Sequence, residues 1–120
     1  MSNIETLTED TITDALWQPG ILVIDFWAPW CGPCRTMTPQ FERAAEMRPD
    51  YRFANVNVDE QPTIASAFEV RSIPTLVVIS DGDVIGAHPG VVGAESLVGA
   101  LDQLAPTAEP EPVLQAGAAR

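Results

Sequence analysis

The sequence of 120 residues contains 17 acidic and six basic side chains, and its formal net charge is −11. This charge opposes binding to nucleic acid or anionic lipid, because both require Lys or Arg to neutralise phosphate. All six basic residues are arginine, which excludes enzymes that depend on a lysine Schiff base or a phosphate-loop lysine. The length and the hydrophobic fraction of 46% suit one globular domain with a single core.

The N-terminal segment predicts neither secretion nor a membrane anchor. Residues 1–5 show neither the positively charged start nor the apolar stretch of a signal peptide. The longest apolar run, around residues 21–24, is too short to span a bilayer. We therefore expect the protein to lie in the cytoplasm. In that compartment a cysteine pair is more often catalytic or metal-binding than structural.

The first half of the chain alternates between strand and helix patterns. Residues 4–7 predict a short strand, and residues 8–17 predict a helix with acidic residues near its start. Residues 21–27 are apolar on both faces, which is typical of a buried central strand. Residues 33–47 predict a long helix in which Pro39 is expected to introduce a kink.

The second half begins with the same alternation. Residues 51–58 have the alternating pattern of a strand, and residues 62–69 predict a short helix with a proline in its first turn. Residues 75–79 and 84–87 predict two strands joined by a hairpin turn at Asp81-Gly82. These two strands are therefore expected to be antiparallel neighbours.

The last predicted element is an amphipathic helix over residues 93–104. The order of the elements predicts the α/β class, with a mixed central sheet flanked by helices, over one domain of residues 1–104. Residues 105–120 are rich in Pro, Ala and Glu and predict a disordered tail.

Cys31 and Cys34 stand where the apolar strand ends and the long helix begins. Pro33 favours the helix start, because its missing N–H would be unpaired there in any case. At that position, free backbone N–H groups and the helix dipole stabilise a Cys31 thiolate, the nucleophile of disulfide exchange. Cys34 follows one helical turn later and is close enough to form a disulfide. The pair predicts an exposed attacking cysteine and a resolving cysteine.

Two other interpretations of the cysteine pair are weaker. A zinc site needs two further ligands, and His88 is the single histidine, without a partner at ligand spacing. A purely structural disulfide gains little, because closing so short a loop removes little entropy from the unfolded chain.

A longer segment around the cysteines resembles the active site of the thioredoxin family. It reads Asp25-Phe26-Trp27-Ala28-Pro29-Trp30-Cys31-Gly32-Pro33-Cys34. Further matches occur in the family's order and near its usual spacing, at Pro39, Asn57-Val58-Asp59, Ile73-Pro74-Thr75, Asp81-Gly82 and Gly90. The resemblance spans roughly residues 3–104 and implies the thioredoxin fold.

The resemblance also implies the catalytic roles. Cys31 would be the attacking thiol and Cys34 the resolving thiol, with Gly32 and Pro33 supporting the pair. Asp25 would be a buried acid/base that exchanges a proton with Cys34. Burial without a cation is expected to raise its pKa, which suits proton transfer near neutrality.

The substrate surface follows from the same resemblance. Pro74 would be a cis-proline that faces the cysteines, and Ile73 would offer backbone hydrogen bonds to an extended substrate. Trp30, Pro74 and Gly90 would frame a shallow apolar surface. One residue departs from the family pattern, since Asn55 occupies a position near the buried aspartate where thioredoxins commonly carry lysine. We therefore predict a more strongly raised pKa for Asp25 than in relatives with that lysine.

The predicted function is a protein-disulfide reductase that cycles between dithiol and disulfide through a mixed disulfide. The resemblance implies that no cofactor is bound and that NADPH supplies electrons through a flavoprotein thioredoxin reductase. The expected partners are that reductase and disulfide-containing client proteins, and we expect a monomer. One alternative is an oxidase or isomerase, disfavoured because Pro33 stands where such proteins often have histidine. The other is a redox-independent binding module that uses the same surface.

Overall fold

The computed structural model describes residues 3–105. The strands are β1 (Ile4–Thr6), β2 (Ile21–Trp27), β3 (Arg52–Asn57), β4 (Thr75–Ser80) and β5 (Asp83–Pro89). The helices are α1 (Ile12–Trp17), α2 (Gly32–Met47), α3 (Pro62–Ala67) and α4 (Ala94–Leu104). No helix within residues 3–105 is long and apolar enough to cross a membrane. The predicted disordered tail lies outside the described residues, apart from Ala105.

The strands form one mixed sheet in the order β1-β3-β2-β4-β5. β2 lies at its centre, parallel to β3 and antiparallel to β4, while β4 and β5 form the predicted antiparallel hairpin. Residues Ile21 to Phe26 of β2 are all buried, as expected for a strand with apolar side chains on both faces. The predicted α/β class and mixed sheet are confirmed.

Two apolar clusters cover the two faces of the sheet. One includes Val23 of β2 together with Met37 and Phe41 of α2 and Leu101 of α4. The other joins Leu22, Ile24 and Phe26 of β2 to the buried side chains Ala15 of α1 and Ile64 of α3. Because successive side chains of a strand point to opposite faces, β2, β3 and β4 each contribute to both clusters. This packing fixes the start of α2 beside the end of β2.

The largest boundary difference concerns the first helix, which was predicted to begin at residue 8 and begins at Ile12. The backbone N–H of Thr8 donates to Thr11 Oγ1 over 2.9 Å, and its carbonyl accepts from the N–H of Ile12. Side-chain hydrogen bonds of this kind compete with the helix and favour a turn. α3 likewise ends before Glu69, whose φ is 57°. α2 continues across Pro39, and the kink there stays a prediction.

Candidate redox site

The cysteines lie at the junction between β2 and α2. After β2 ends, the N–H of Cys31 donates to the carbonyl of Ala28 over 3.2 Å and closes a turn. α2 begins at Gly32, with Cys31 as its N-cap residue and Pro33 in the first turn. Cys31 and Cys34 form a disulfide, and their Cα atoms are 5.3 Å apart. The predicted placement of the pair at a helix start is confirmed.

The helix N-terminus acts directly on the Cys31 sulfur. The backbone N–H of Cys34 donates to Cys31 Sγ over 3.2 Å. This N–H is one of the first in α2, which have no partner one turn earlier in the helix. This donor and the positive end of the helix dipole both favour negative charge on Cys31 Sγ.

The prediction of an exposed attacking cysteine is wrong for the disulfide form. Only 4% of Cys31 and 2% of Cys34 are exposed to solvent. Both belong to a small apolar cluster with Ala28, against which Trp27 and Ile73 pack. The sequence pattern indicated the helix start, but burial of the sulfurs depends on a loop that is distant in sequence.

Asp25 lies in the middle of β2 and is 4% exposed. Its register partners are Asn55 of β3 and Leu76 of β4, neither of which carries a charge. Desolvation by burial raises the pKa of Asp25 from 3.8 to about 7. Its Oδ1 atom has no hydrogen-bond partner within residues 3–105. The carboxyl group is therefore protonated in part of the molecules at neutral pH.

A cleft on one side of the sheet reaches Asp25. Its volume is about 440 Å³, and it is lined by Ile4, Asp25, Trp27, Thr38, Phe41, Glu42 and Asn55. Asn55 thus lies beside the buried carboxyl, as the resemblance implied for this position. That the pKa of Asp25 is raised more strongly than in relatives with a lysine at this position stays a prediction.

The Ile73–Pro74 peptide bond is cis, and it lies next to the disulfide. The carbonyl oxygen of Ile73 is 3.8 Å from Cys31 Sγ. The N–H of Gly90 donates to the carbonyl of Pro74 over 2.8 Å, which ties the loop after β5 to this segment. Gly90 has a φ of 94°, a conformation that favours glycine. The structure therefore brings Ile73, Pro74 and Gly90 together near the cysteines.

The predicted substrate surface is only partly exposed. Trp30 is 66% exposed and Gly90 is exposed, whereas the ring of Pro74 is buried. Pro74 therefore contributes through the backbone of its loop rather than through an open apolar surface. A shallow groove beside Trp30 is lined by Trp30, Val58, Ala65, Val70, Arg71, Ser72 and Ile73.

Two residues without a role in the sequence analysis fix the orientation of Trp30. The indole Nε1–H of Trp30 donates to Asp59 Oδ2 over 2.9 Å. The N–H of Asp59 in turn donates to Asn57 Oδ1 over 2.9 Å. Asn57-Val58-Asp59 is one of the segments that resemble the thioredoxin family, but its contact with Trp30 depends on the fold.

A zinc site at the cysteine pair would need two further ligands. Within the described part of the chain, no group of three or more His, Cys, Asp and Glu side chains is placed to hold a metal ion. His88 lies exposed on β5, in register with Leu76 of β4.

Comparison with known proteins decides the family. A family model described as thioredoxin matches residues 3–103. The chain belongs to the thioredoxin family. Putative thioredoxin 2 of Streptomyces coelicolor is 36% identical over 103 residues, which cover 86% of this chain and 77% of that protein. Thioredoxin 1 of Synechococcus elongatus is 38% identical over 99 residues, which cover 77% of this chain and 92% of that protein.

Solved structures of thioredoxins share the same fold. Mitochondrial thioredoxin 3 from Saccharomyces cerevisiae, in its oxidised form, matches with a TM-score of 0.77 and 38% sequence identity. The match covers 83% of this chain and 94% of that structure. Together with the Cys31–Cys34 disulfide, the family establishes this thioredoxin as a thiol–disulfide oxidoreductase that acts on disulfide-containing proteins.

Proposed function

We propose that this thioredoxin works as a protein-disulfide reductase. The Cys31 thiolate attacks one sulfur of a client disulfide, and the other client sulfur leaves as a thiolate. The Cys34 thiolate then attacks Cys31 Sγ and releases the second client sulfur. Two electrons pass to the client, and the Cys31–Cys34 disulfide remains. The proposal depends above all on the Cys34 N–H, which donates to Cys31 Sγ and stabilises its thiolate.

Asp25 is the proposed acid/base for the second step. Cys34 must lose its proton before it attacks, and a carboxylate with a pKa of about 7 accepts that proton effectively near neutral pH. Burial makes Asp25 a stronger base than an exposed aspartate, since water no longer stabilises its charged form. The proton then has to leave Asp25 before the next cycle.

The client is proposed to bind as an extended segment across the face beside Cys31. The Ile73 carbonyl, 3.8 Å from Cys31 Sγ, is placed to accept a hydrogen bond from the client backbone. Trp30, with its indole held by Asp59, offers an exposed apolar surface to the client side chains. Gly90 leaves room for close approach, since an ideal Cβ there would lie in open space.

The reducing direction is supported by the Gly32-Pro33 dipeptide. A histidine at Pro33 would stabilise the Cys31 thiolate further and make the pair more oxidising. We further propose that a flavoprotein thioredoxin reductase reduces the Cys31–Cys34 disulfide with electrons from NADPH. On this proposal the protein acts as a monomer in the cytoplasm, without a bound cofactor.

The reduction potential tests the direction. The protein is equilibrated in graded thiol/disulfide buffers, and the state of Cys31 and Cys34 is measured by thiol trapping. We expect a reduction potential of about −270 mV, as for thioredoxins that act as reductants. A value near about −120 mV, as for a strong oxidant, would overturn the reductase assignment.

Trapping of the intermediate tests the residue roles. With Cys34→Ser, we expect a covalent mixed disulfide between Cys31 and a protein client, visible on a non-reducing gel. With Cys31→Ser, none is expected, because the attacking thiol is gone. Accumulation of a mixed disulfide through Cys34 in the Cys31→Ser variant would assign the roles the other way round. In a third variant, Cys31→Ser and Cys34→Ser are combined. If this variant binds clients and restores the function of cells that lack the protein as well as the native protein does, a redox-independent binding module would be favoured.

A further inference from the structure

Residues 90–93 join β5 to α4 and belong to neither element. Because such a loop lacks the regular hydrogen bonds of a helix or strand, its backbone N–H groups need other partners. The N–H of Gly90 donates to the Pro74 carbonyl over 2.8 Å, next to the redox site. The N–H groups of Val92 and Ala94 donate to side chains of α2, the helix that begins at the cysteines. The loop is therefore held along its whole length.

Gln40 supplies the cap that α4 lacks at its own start. The N-cap residue of α4 is Gly93, which has no side chain and makes no capping hydrogen bond. The first N–H groups of a helix have no partner within the helix, and a side-chain oxygen usually accepts from one of them. Here Oε1 of Gln40 accepts from the N–H of Ala94 over 2.9 Å, although the two residues are 54 positions apart. This cap fixes the start of α4 against α2.

Met37 holds the middle of the same loop. Its side chain is fully buried, and its Sδ atom accepts from the N–H of Val92 over 3.5 Å. A thioether sulfur is a weak acceptor, so this contact contributes less than a hydrogen bond to oxygen. Val92 is half-buried and packs against the apolar cluster that includes Met37. Since Cys34, Met37 and Gln40 follow one another at intervals of three residues, both acceptors lie on the turns of α2 that come directly after the cysteines.

We propose that Met37 and Gln40 are positioning residues for the client, because they hold the loop that contains Gly90 in place beside the cysteines. This inference rests on the proposed binding of an extended client segment across the face beside Cys31. Both side chains act through the backbone of residues 90–94 and not on the client itself. A loop that is already in place loses little conformational entropy when the client binds, whereas a loose loop has to be ordered at that moment. The two contacts therefore strengthen client binding and leave the sulfur chemistry unchanged.

Saturation kinetics with a protein client test this role. The full chain is reduced beforehand and mixed with an excess of a folded protein disulfide at increasing concentrations. Acid quenching and thiol trapping then follow oxidation of the Cys31–Cys34 pair. With Gln40→Leu, which removes the acceptor, we expect the client concentration at half-maximal rate to rise by about fivefold, the factor of one typical hydrogen bond. The maximal rate is expected to stay within about twofold of the native rate, because a loss of binding alone does not change the chemical step.

A small disulfide separates the loop from the sulfurs. The aromatic disulfide 5,5′-dithiobis(2-nitrobenzoate) has no peptide backbone that could bind along the loop, so Gln40→Leu is expected to change its rate by less than about twofold. Met37→Leu keeps a similar volume in the core and removes the sulfur acceptor. For the protein client we expect this variant to raise the half-maximal concentration by about twofold, less than Gln40→Leu does, because sulfur is the weaker acceptor.

Two matched variants serve as controls. Gln40→Glu keeps an oxygen acceptor at the start of α4, where negative charge is also favoured, and is expected to bind the client as the native protein does. Arg43→Met removes the ion pair between Arg43 and Glu95, which joins the same two helices through exposed side chains. Exposed ion pairs contribute little, and this pair does not bond to the loop backbone, so the client kinetics are expected to stay unchanged.

Amide hydrogen exchange measures the cap independently of catalysis. In the native protein, we expect the N–H of Ala94 to exchange more slowly than that of the exposed residue Val91. In Gln40→Leu this protection is expected to be lost. Equal exchange of the two N–H groups in the native protein would show that Gln40 does not cap α4, and the positioning role would fail with it.

Three kinetic results would overturn the positioning role. They are an unchanged half-maximal client concentration in Gln40→Leu, equal slowing of the protein and the small disulfide, and a Gln40→Glu variant that behaves like Gln40→Leu. Failure of the proposed function has a different signature, since the native chain itself would then not be oxidised by the protein client. Normal kinetics of the native chain together with any of the three results would refute the positioning role alone.

Discussion

Asp25 is a carboxyl group in the middle of an apolar strand, and its burial raises its pKa to about 7. The folded chain therefore keeps a proton on Asp25 between about pH 4 and 7, whereas the unfolded chain has lost it. Because the folded state binds more protons in this window, stability falls as the pH rises through it. Burial of a charged Asp25 thus lowers stability at neutral pH.

The substitution Asp25→Asn tests this pH dependence. The difference between 3.8 and about 7 corresponds to a cost on the order of 4 kcal/mol above pH 7, and to none below about pH 4. We expect the variant to exceed the native protein in stability by a few kcal/mol at pH 8 and to match it near pH 4. Guanidinium unfolding of the disulfide form at pH 4, 6 and 8 measures this. A difference that does not change with pH would contradict it.

Asn55 is the uncharged register partner of Asp25 on β3. A cation beside Asp25 favours the carboxylate, so Asn55→Lys is expected to lower the pKa of Asp25 by about one unit or more. Asn55→Met has a similar length without charge and serves as the control. Carboxyl-carbon NMR titration of Asp25 distinguishes the two variants. Equal pKa values of Asp25 in both would show that the missing charge does not contribute.

At the scale of elements, most helices and strands follow from local patterns. β2 was recognised from its continuous apolar residues, and α2 from Pro33 near its start. The start of α1 was missed because the hydroxyl of Thr11 accepts a hydrogen bond from the Thr8 backbone and favours a turn. Such competition between side chain and helix depends on a few atoms, which periodicity does not report.

Gly99 lies in the interior of α4, where glycine stabilises a helix less than alanine does. This glycine lies exposed in the helix, and an ideal Cβ would meet nothing within 4 Å. Gly99→Ala is therefore expected to raise the free energy of unfolding by about 0.5–1 kcal/mol. Gly82→Ala is the contrasting variant, since its φ is +90° and its Cβ would lie 3.3 Å from the Leu16 carbonyl.

We expect Gly82→Ala to lower the free energy of unfolding by about 1–3 kcal/mol, because alanine is strained at positive φ. Thermal and guanidinium unfolding of the two variants, beside the native protein, measure both effects. A stabilised Gly82→Ala protein, or a destabilised Gly99→Ala protein, would contradict the argument.

At the scale of the whole molecule, the packed unit coincides with the region of family similarity. The family match covers residues 3–103, and α4 ends at Leu104. Ala105 still packs against the core cluster between the sheet and α4, and its N–H donates to the Leu101 carbonyl over 2.8 Å. A domain boundary at residues 104/105 stays a prediction.

Removal of residues 106–120 tests this boundary. We expect the shortened chain to keep the melting temperature and the disulfide-reductase rate of the full chain, because the elements that build the site end before the cut. Differential scanning calorimetry and a protein-disulfide reduction assay are the measurements. A lowered melting temperature would assign the segment to the folded domain, and a lowered rate alone would assign it to client or reductase binding.

The sequence by itself determined the local part of this site. An apolar strand followed by Cys31, Pro33 and Cys34 places the two sulfurs at a helix start, because strand, turn and cap preferences act over a few residues. The family resemblance added the expected roles of Asp25 and Pro74.

Only the tertiary structure decided the rest. It places the Ile73 carbonyl beside Cys31, 42 residues away in sequence, and it brings β1, α2 and β3 around Asp25. The burial that raises the pKa of Asp25 and the convergence of Trp27 and Asn55 on one cleft arise from packing between distant segments. Desolvation depends on everything that surrounds a group, so a pattern in neighbouring residues does not specify it.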